Sequence, residues 1–181
     1  RTFLVAMATS HFRSNPKHFS RWGSLQFLKQ ILSDEHNVLD LGCGSGDLTY
    51  EIGELVQNIV GVDIDDGAIQ KATSLNSRDN IKYVCADVDR VLRDHTLSGE
   101  VFHYALLSSV LTFSRDPYTL LTDLSKMTEK LIIRETRYDE NELVLISRDL
   151  GVDKNQWNEF TFDRLQALIQ DSGWVIEKEW H

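Results

Sequence analysis

The stretch Val38-Leu39-Asp40-Leu41-Gly42-Cys43-Gly44-Ser45-Gly46-Asp47-Leu48 decides how the chain is read. A compact apolar run beginning at Asn37 ends in a glycine cluster, the pattern of a buried strand, and Leu48, Ile52, Leu55 and Val56 then fall at helical spacing. Glycine at every second position lets the backbone take positive φ and lets a ligand come close to the N–H groups of a helix start. Taken alone, the loop is either a ligand cradle or an ordinary tight turn. A pyrophosphate-binding dinucleotide loop wants G-x-G-x-x-G, yet Asp47 stands in the place of its last glycine, where a carboxylate repels a pyrophosphate.

Outward from this loop the alternation continues. Upstream, Trp22, Leu25, Leu28, Ile31 and Leu32 predict a helix over Ser20 to Leu32. Downstream, Ile59 to Asp63, Ile81 to Ala86, Val101 to Leu107 and Leu131 to Ile133 read as strands. Ala68 to Leu75 and Tyr118 to Met127 read as helices, the latter opened by Asp116-Pro117. Asn141 to Leu150 and Phe162 to Gln170 also look helical, and Trp174 to Trp180 is the last strand. Strands alternating with helices predict an α/β fold, a doubly wound and mostly parallel sheet with helices on both faces. Asp40, Asp63 and Asp87 are separated by 23 and 24 residues, one βα unit each, which places them along the carboxyl edge of the sheet. Ligands bind at that edge in open α/β sheets. There Asp63 can accept hydrogen bonds from two ribose hydroxyls, and Asp87 can take the amino group of an adenine.

Composition bounds the alternatives. The chain has 181 residues, 41% hydrophobic, with two cysteines and a formal charge of −9. This suits one packed domain and excludes a disulfide framework or a cysteine-rich zinc site. No apolar run approaches the roughly 18 to 20 residues that span a bilayer, so the expectation is a cytoplasmic protein without a membrane partner. The acidic balance argues against broad nucleic-acid binding. Residues 1–33 reverse the sign, with Arg1, Arg13, Lys17, Arg21 and Lys29 and no acid. The expected division is a basic N-terminal arm over residues 1–19 and a single domain over 20–181. Met7 is a candidate start, which sets residues 1–6 upstream of the domain, and the acid-poor segment also has the composition of a transit peptide.

With these residues in place the chain resembles the class I, Rossmann-like S-adenosylmethionine-dependent methyltransferases over roughly residues 20 to 180. Asp40-Leu41-Gly42-Cys43-Gly44-Ser45-Gly46 is similar to the family's first motif, which holds the methionine part of the cofactor. Gly61-Val62-Asp63-Ile64-Asp65 is similar to its ribose motif and Ala86-Asp87-Val88 to its adenine motif. Phe102 to Ser109 is similar to the fourth-strand motif beside the transferable methyl. The resemblance implies S-adenosylmethionine as cofactor, S-adenosylhomocysteine as product, and contacts from Asp40, Gly42, Cys43, Gly44, Gly46, Asp63, Ile64, Asp87, Val88 and Ser108. Three departures stand out. His103 replaces the acid common after the strand-four Phe and reads as structural, toward the opposite edge. Met127-Thr128-Glu129-Lys130 lacks the usual Gly-Gly turn. One strand follows strand five where the family has an antiparallel pair, so a last strand is expected to be missing, through truncation, a partner domain or a shortened variant.

Methyl transfer from a sulfonium needs alignment of the acceptor and, for O or N acceptors, removal of a proton, with no metal required. Ser108-Ser109-Val110-Leu111 is not the Asn/Asp-Pro-Pro-aromatic segment of exocyclic-amine enzymes, and neither Cys43 nor Cys85 is placed as a cytosine-C5 nucleophile. The remaining acceptor is a small or carrier-linked molecule. Arg21, Trp22, Ser109, Arg134 and Arg137 are its candidate contacts, with His18, Phe19 and Thr112 nearby in sequence. The two arginines at the strand-five exit point to an anionic group or to salt bridges with the many acids. His18, Glu135 and Tyr138 have the chemistry of a general base, and Trp157 and Phe160 that of a pocket cap. Three further readings stay open: a nicotinamide-dependent oxidoreductase, a non-catalytic cofactor-binding or partner module, and an RNA methyltransferase.

Overall fold

The structure, a computed structural model, describes residues 2–6, 25–94, 96–97, 99–134 and 162–180. In chain order these form β1 (Thr2–Ala6), α1 (25–31), β2 (Asn37–Leu41), α2 (Asp47–Ile52), β3 (Asn58–Asp63), α3 (Asp66–Leu75), β4 (Ile81–Cys85), β5 (Phe102–Ser108), α4 (Pro117–Met127), β6 (Thr128–Arg134), α5 (Phe162–Asp171) and β7 (Val175–Trp180). One seven-stranded sheet runs in the order β4-β3-β2-β5-β6-β1-β7. Every strand pairing in it is parallel.

Period-two alternation explains why a parallel sheet forms. In β2, Val38 packs with the cluster on one face while Leu39 and Leu41 pack with that on the other. The pattern repeats with Ile59 against Val60 and Val62, with Tyr104 and Leu106 against Ala105 and Leu107, and with Ile132 against Leu131 and Ile133. The first face receives Leu28 and Leu32, with Ile52 of α2. The second receives Leu120, Leu121 and Leu124 of α4 and Leu165 and Ile169 of α5. Two helices have side-chain caps at their starts, and the second is the one predicted from Asp116-Pro117. Asp65 caps α3 through Ala68 N–H, and Asp116 caps α4 through Thr119 N–H with Pro117 in the first turn.

Several expectations are corrected in detail. The helix pattern through Val56 stops at Ile52, because Gly53 closes the last turn onto Thr49 and Glu51. β6 begins three residues earlier than its apolar core, at Thr128 directly after α4, so no glycine turn is needed. Trp174 precedes β7 and is 2% exposed. The missing strand is the main correction. The position beside β6 is filled by β1, in register from Thr2 against Lys130 to Val5 against Ile133, and β7 pairs outside it. Thr2–Ala6 therefore belongs to the sheet and not to a free arm, and the closing strands are parallel rather than antiparallel. Residues 7–19 and the predicted helix over 141–150 lie outside the described residues.

Trp174 ties α5 and β7 to the body: its indole Nε1 donates to the Leu121 carbonyl at 3.0 Å, between α4 and the sheet. Trp174→Ala should cost about 3–5 kcal/mol in chemical denaturation. Trp174→Phe, which keeps one aromatic ring but loses the hydrogen bond and part of the buried volume, should cost less, about 1–3 kcal/mol. An unchanged midpoint for the alanine variant would mean that this end of the sheet lies outside the cooperative unit.

Candidate cofactor and active site

The glycine loop joins β2 to α2, and it is held from below and from the side. Gly42 and Cys43 N–H both donate to the Val62 carbonyl, at 2.8 and 3.0 Å, and Gly46 N–H returns to the Cys43 carbonyl. Gly46 has φ 75° and serves as the cap of α2. An L side chain is strained there, and a Cβ would also meet the Tyr83 hydroxyl. That hydroxyl donates to the Asn76 carbonyl at 2.8 Å, and burial pushes its pKa up.

Asp63, the last residue of β3, closes the arrangement. One carboxylate oxygen accepts from Gly44 N–H at 2.8 Å and the other from Asp65 N–H at 2.9 Å. A carboxylate offers about four acceptor sites, so further hydrogen bonds to a ligand remain open to it. Asp40 lies deeper. It is 2% exposed and accepts from Thr49 Oγ1 of α2 at 2.7 Å. Burial pushes its pKa up to about 6, opposed by the Thr49 hydrogen bond and by the Arg134 charge. Cys43 is half-buried. Its thiol is pushed far up by burial and by the Asp40 and Asp63 charges, which rules it out as a thiolate nucleophile at neutral pH.

Beyond the loop, the exits of β2 to β5 enclose a cavity of about 300 Å3. Gly42, Asp63, Ile64, Asp87, Val88, Ser108 and Ser109 line it, all predicted from the sequence. Asp40, Cys43, Gly44 and Gly46, expected to contact a cofactor, are not in the lining: Asp40 is buried behind the loop, and the other three belong to the loop itself. Sequence reasoning missed Asp89, Val110, Phe113 and Arg115. Asp89 follows β4, and the other three lie on the irregular segment between β5 and α4, where no periodicity marks them. Thr112 is buried and outside the lining. Ser109 has φ 57°, the left-handed conformation in a residue other than glycine, and its N–H donates to the Arg134 carbonyl. Such backbone strain concentrates at functional sites. Arg134 stands beside Ser108 in register and acts electrostatically on Asp40. Arg21, Trp22, His18, Phe19, Glu135, Arg137, Tyr138, Trp157 and Phe160 lie outside the described residues.

A larger hollow of about 410 Å3 opens at the opposite edge, among Asn37, Asn58, Asn80, Lys82, Glu100 and Phe102. Several of its polar groups are already engaged: Asn58 with Asn37, Asn80 with the Gly53 and Val56 carbonyls, and Lys82 with Glu100. In an open parallel sheet the ligand edge is the carboxyl one, which selects the smaller cavity. His103 lies at the amino edge, where its Nδ1 accepts from Asn37 N–H at 2.9 Å, the structural place expected of it.

Comparison with known proteins agrees with this geometry. The family described as "Methyltransferase domain" matches residues 32–169, most of the chain. The chain belongs to that family, with the class I, Rossmann-like architecture whose cofactor is S-adenosylmethionine. More particularly, it is 28% identical over 165 residues to the ribosomal protein L11 methyltransferase of Thermotoga petrophila, covering 87% of this chain and 52% of that protein. The chain thus spans about half the length of that curated relative. Among solved structures, the YcgJ protein of Bacillus subtilis superposes with a TM-score of 0.69 at 18% identity, over 83% of this chain and 68% of that one. The N-methyltransferase NodS of Bradyrhizobium japonicum, solved with S-adenosylhomocysteine, gives 0.65 at 18% identity, over 88% and 76%.

The raised pKa of Asp40 carries a pH prediction. As pH rises from the ordinary 3.8 to about 6, an unfolded chain sheds this proton while the folded chain keeps it, so stability falls across that window and levels off above it. Asp40→Asn should remove that slope and raise stability at pH 7.5 by up to about 3 kcal/mol. Denaturant unfolding at pH 4.5 and 7.5 checks this, and a slope that survives in the variant would assign it to another group.

Proposed function

We propose that this chain binds S-adenosylmethionine in the 300 Å3 cavity and transfers its methyl group to an O or N atom of a small or carrier-linked acceptor with anionic character. The observation that carries the reading is the convergence of Gly42, Asp63, Asp87 and Ser108, from four successive strand exits, on one cavity. The cofactor supplies an activated methyl on a sulfonium. The chain's own residues bind and align. Asp63 takes the ribose hydroxyls while anchoring Gly44, Asp87 takes the adenine amino group, and Ile64 and Val88 cover the apolar faces of the base. Ser108 and Ser109 border the methyl.

On this reading Arg134, with Arg21, Trp22 and Arg137, receives the acceptor, and His18, Glu135 or Tyr138 removes the proton. The name of one relative, a ribosomal protein L11 methyltransferase, supports an acceptor group carried by a protein. Against a nicotinamide cofactor stands Asp47, exposed at the start of α2.

Calorimetric titration tests the proposal. S-adenosylhomocysteine and S-adenosylmethionine should bind and NAD should not. Asp63→Ala should weaken S-adenosylhomocysteine about 10- to 100-fold, the value of losing hydrogen bonds to a charged acceptor. A thermal midpoint measured without ligand separates that loss from loosening of the glycine loop. Affinity unchanged in Asp63→Ala would remove the ribose assignment.

A further inference from the structure

The cavity is acid-rich, with Asp63, Asp87 and Asp89 in its lining, and Arg115 is the single cation among the lining residues. Arg115 comes from the segment between β5 and α4, whereas Asp87 and Asp89 follow β4. Its Nη2 lies 2.5 Å from Asp87 Oδ2. The other Asp87 oxygen accepts from Asp89 N–H at 2.9 Å. The root of Arg115 is fixed independently of its side chain. Its backbone N–H donates to Asp89 Oδ2 at 2.9 Å, and the neighbouring Ser114 hydroxyl donates to Asp89 Oδ1 at 2.5 Å. Only the long side chain, 68% exposed against 18% for Asp87, is free to adjust to a ligand.

We infer that Arg115 is a specificity-determining residue of this cavity: together with Asp87 it presents a donor beside an acceptor, and the pair reads the edge of an adenine base. The inference rests on the cofactor reading given above. Asp87 alone can only accept hydrogen bonds, whereas the guanidinium carries five N–H donors, of which the contact with Asp87 uses few. Adenine offers an amino donor next to ring-nitrogen acceptors, the complement of an acceptor next to a donor. A 6-oxo purine reverses this order and sets its carbonyl oxygen against the Asp87 carboxylate. The pair therefore both favours adenine and disfavours its oxo analogue. Arginine suits the role because its planar fork holds one partner while keeping donors aimed at another.

The test is calorimetry of the full chain with S-adenosylhomocysteine and with S-inosylhomocysteine, for the parent protein, Arg115→Met and Arg115→Lys. Arg115→Met should weaken S-adenosylhomocysteine about tenfold, the smaller end of what a charge-assisted hydrogen bond contributes. It should also shrink the preference over the inosine analogue, with the thermal midpoint of the free protein unchanged. Arg115→Lys should recover part of both. Equal or tighter binding of S-adenosylhomocysteine by Arg115→Met would show that the ion pair only latches the two walls, and would overturn the proposal. Equal loss for both ligands would overturn it as well, since the residue would then not read the base. Binding of neither ligand by the parent protein would instead remove the cofactor reading, and this inference with it.

Discussion

The carboxylate of Asp63 does two jobs at one point, and the site depends on both. It is the last residue of β3, so the sheet fixes it, and it accepts the N–H groups of Gly44 and Asp65 on either side. The first bond draws the glycine loop of the neighbouring strand onto the end of β3. The second shapes the turn that leads into Asp65, the cap of α3. Loop, strand end and helix start thus share one anion. Two bonds from backbone N–H groups fix the orientation of the carboxylate and leave acceptor capacity at the cavity wall. The Val62 carbonyl holds the start of the loop through Gly42 and Cys43, and Asp63 seats its middle through Gly44.

A parallel sheet makes this economical. Because every described pairing is parallel, all strand exits fall on one edge, and Gly42, Asp63, Asp87 and Ser108 meet without any long-range adjustment. The opposite edge gathers strand starts, where Asn58 pairs with Asn37 and Lys82 with Glu100. His103 belongs there, accepting from Asn37 N–H, although it sits within a segment that resembles a motif beside the transferable methyl. Position along the strand, not residue type, separates the two roles.

The sequence made the sheet centre legible because two signals meet there: apolar alternation in β2, β3, β5 and β6, and a glycine or an acid at the exits of β2, β3 and β4. It was less legible at the flank. Thr2–Ala6 is apolar in its middle, but with Met7 as a candidate start it was set outside the domain, and a strand inserted from the N-terminal side has no local marker of its partner. Around the cavity, the strand-exit residues named from the sequence lie in the lining, because the strand ends fix their place. Phe113 and Arg115 were missed because they lie on an irregular segment, whose path follows from Asp89 accepting both Ser114 Oγ and Arg115 N–H. No spacing rule encodes a contact of that kind. Asp40 was legible as an acid at an exit but not as a buried one. Its partner Thr49 lies a turn into the next helix, and only the fold brings them together.

The balance of charge in the cavity bears on turnover as well as on binding. Asp63, Asp87 and Asp89 line it, with Asp40 buried behind the loop and Arg115 already matched to Asp87. The surplus is negative, and in a partly enclosed space of low dielectric such a field acts more strongly than in water. S-adenosylmethionine carries a sulfonium, whereas S-adenosylhomocysteine carries a neutral thioether. On the proposed reading the acids therefore stabilise the cofactor that enters more than the product that remains, while the ribose and adenine contacts are the same for both. Recognition rests on hydrogen bonds that do not change during transfer, and release is favoured by the one charge that does.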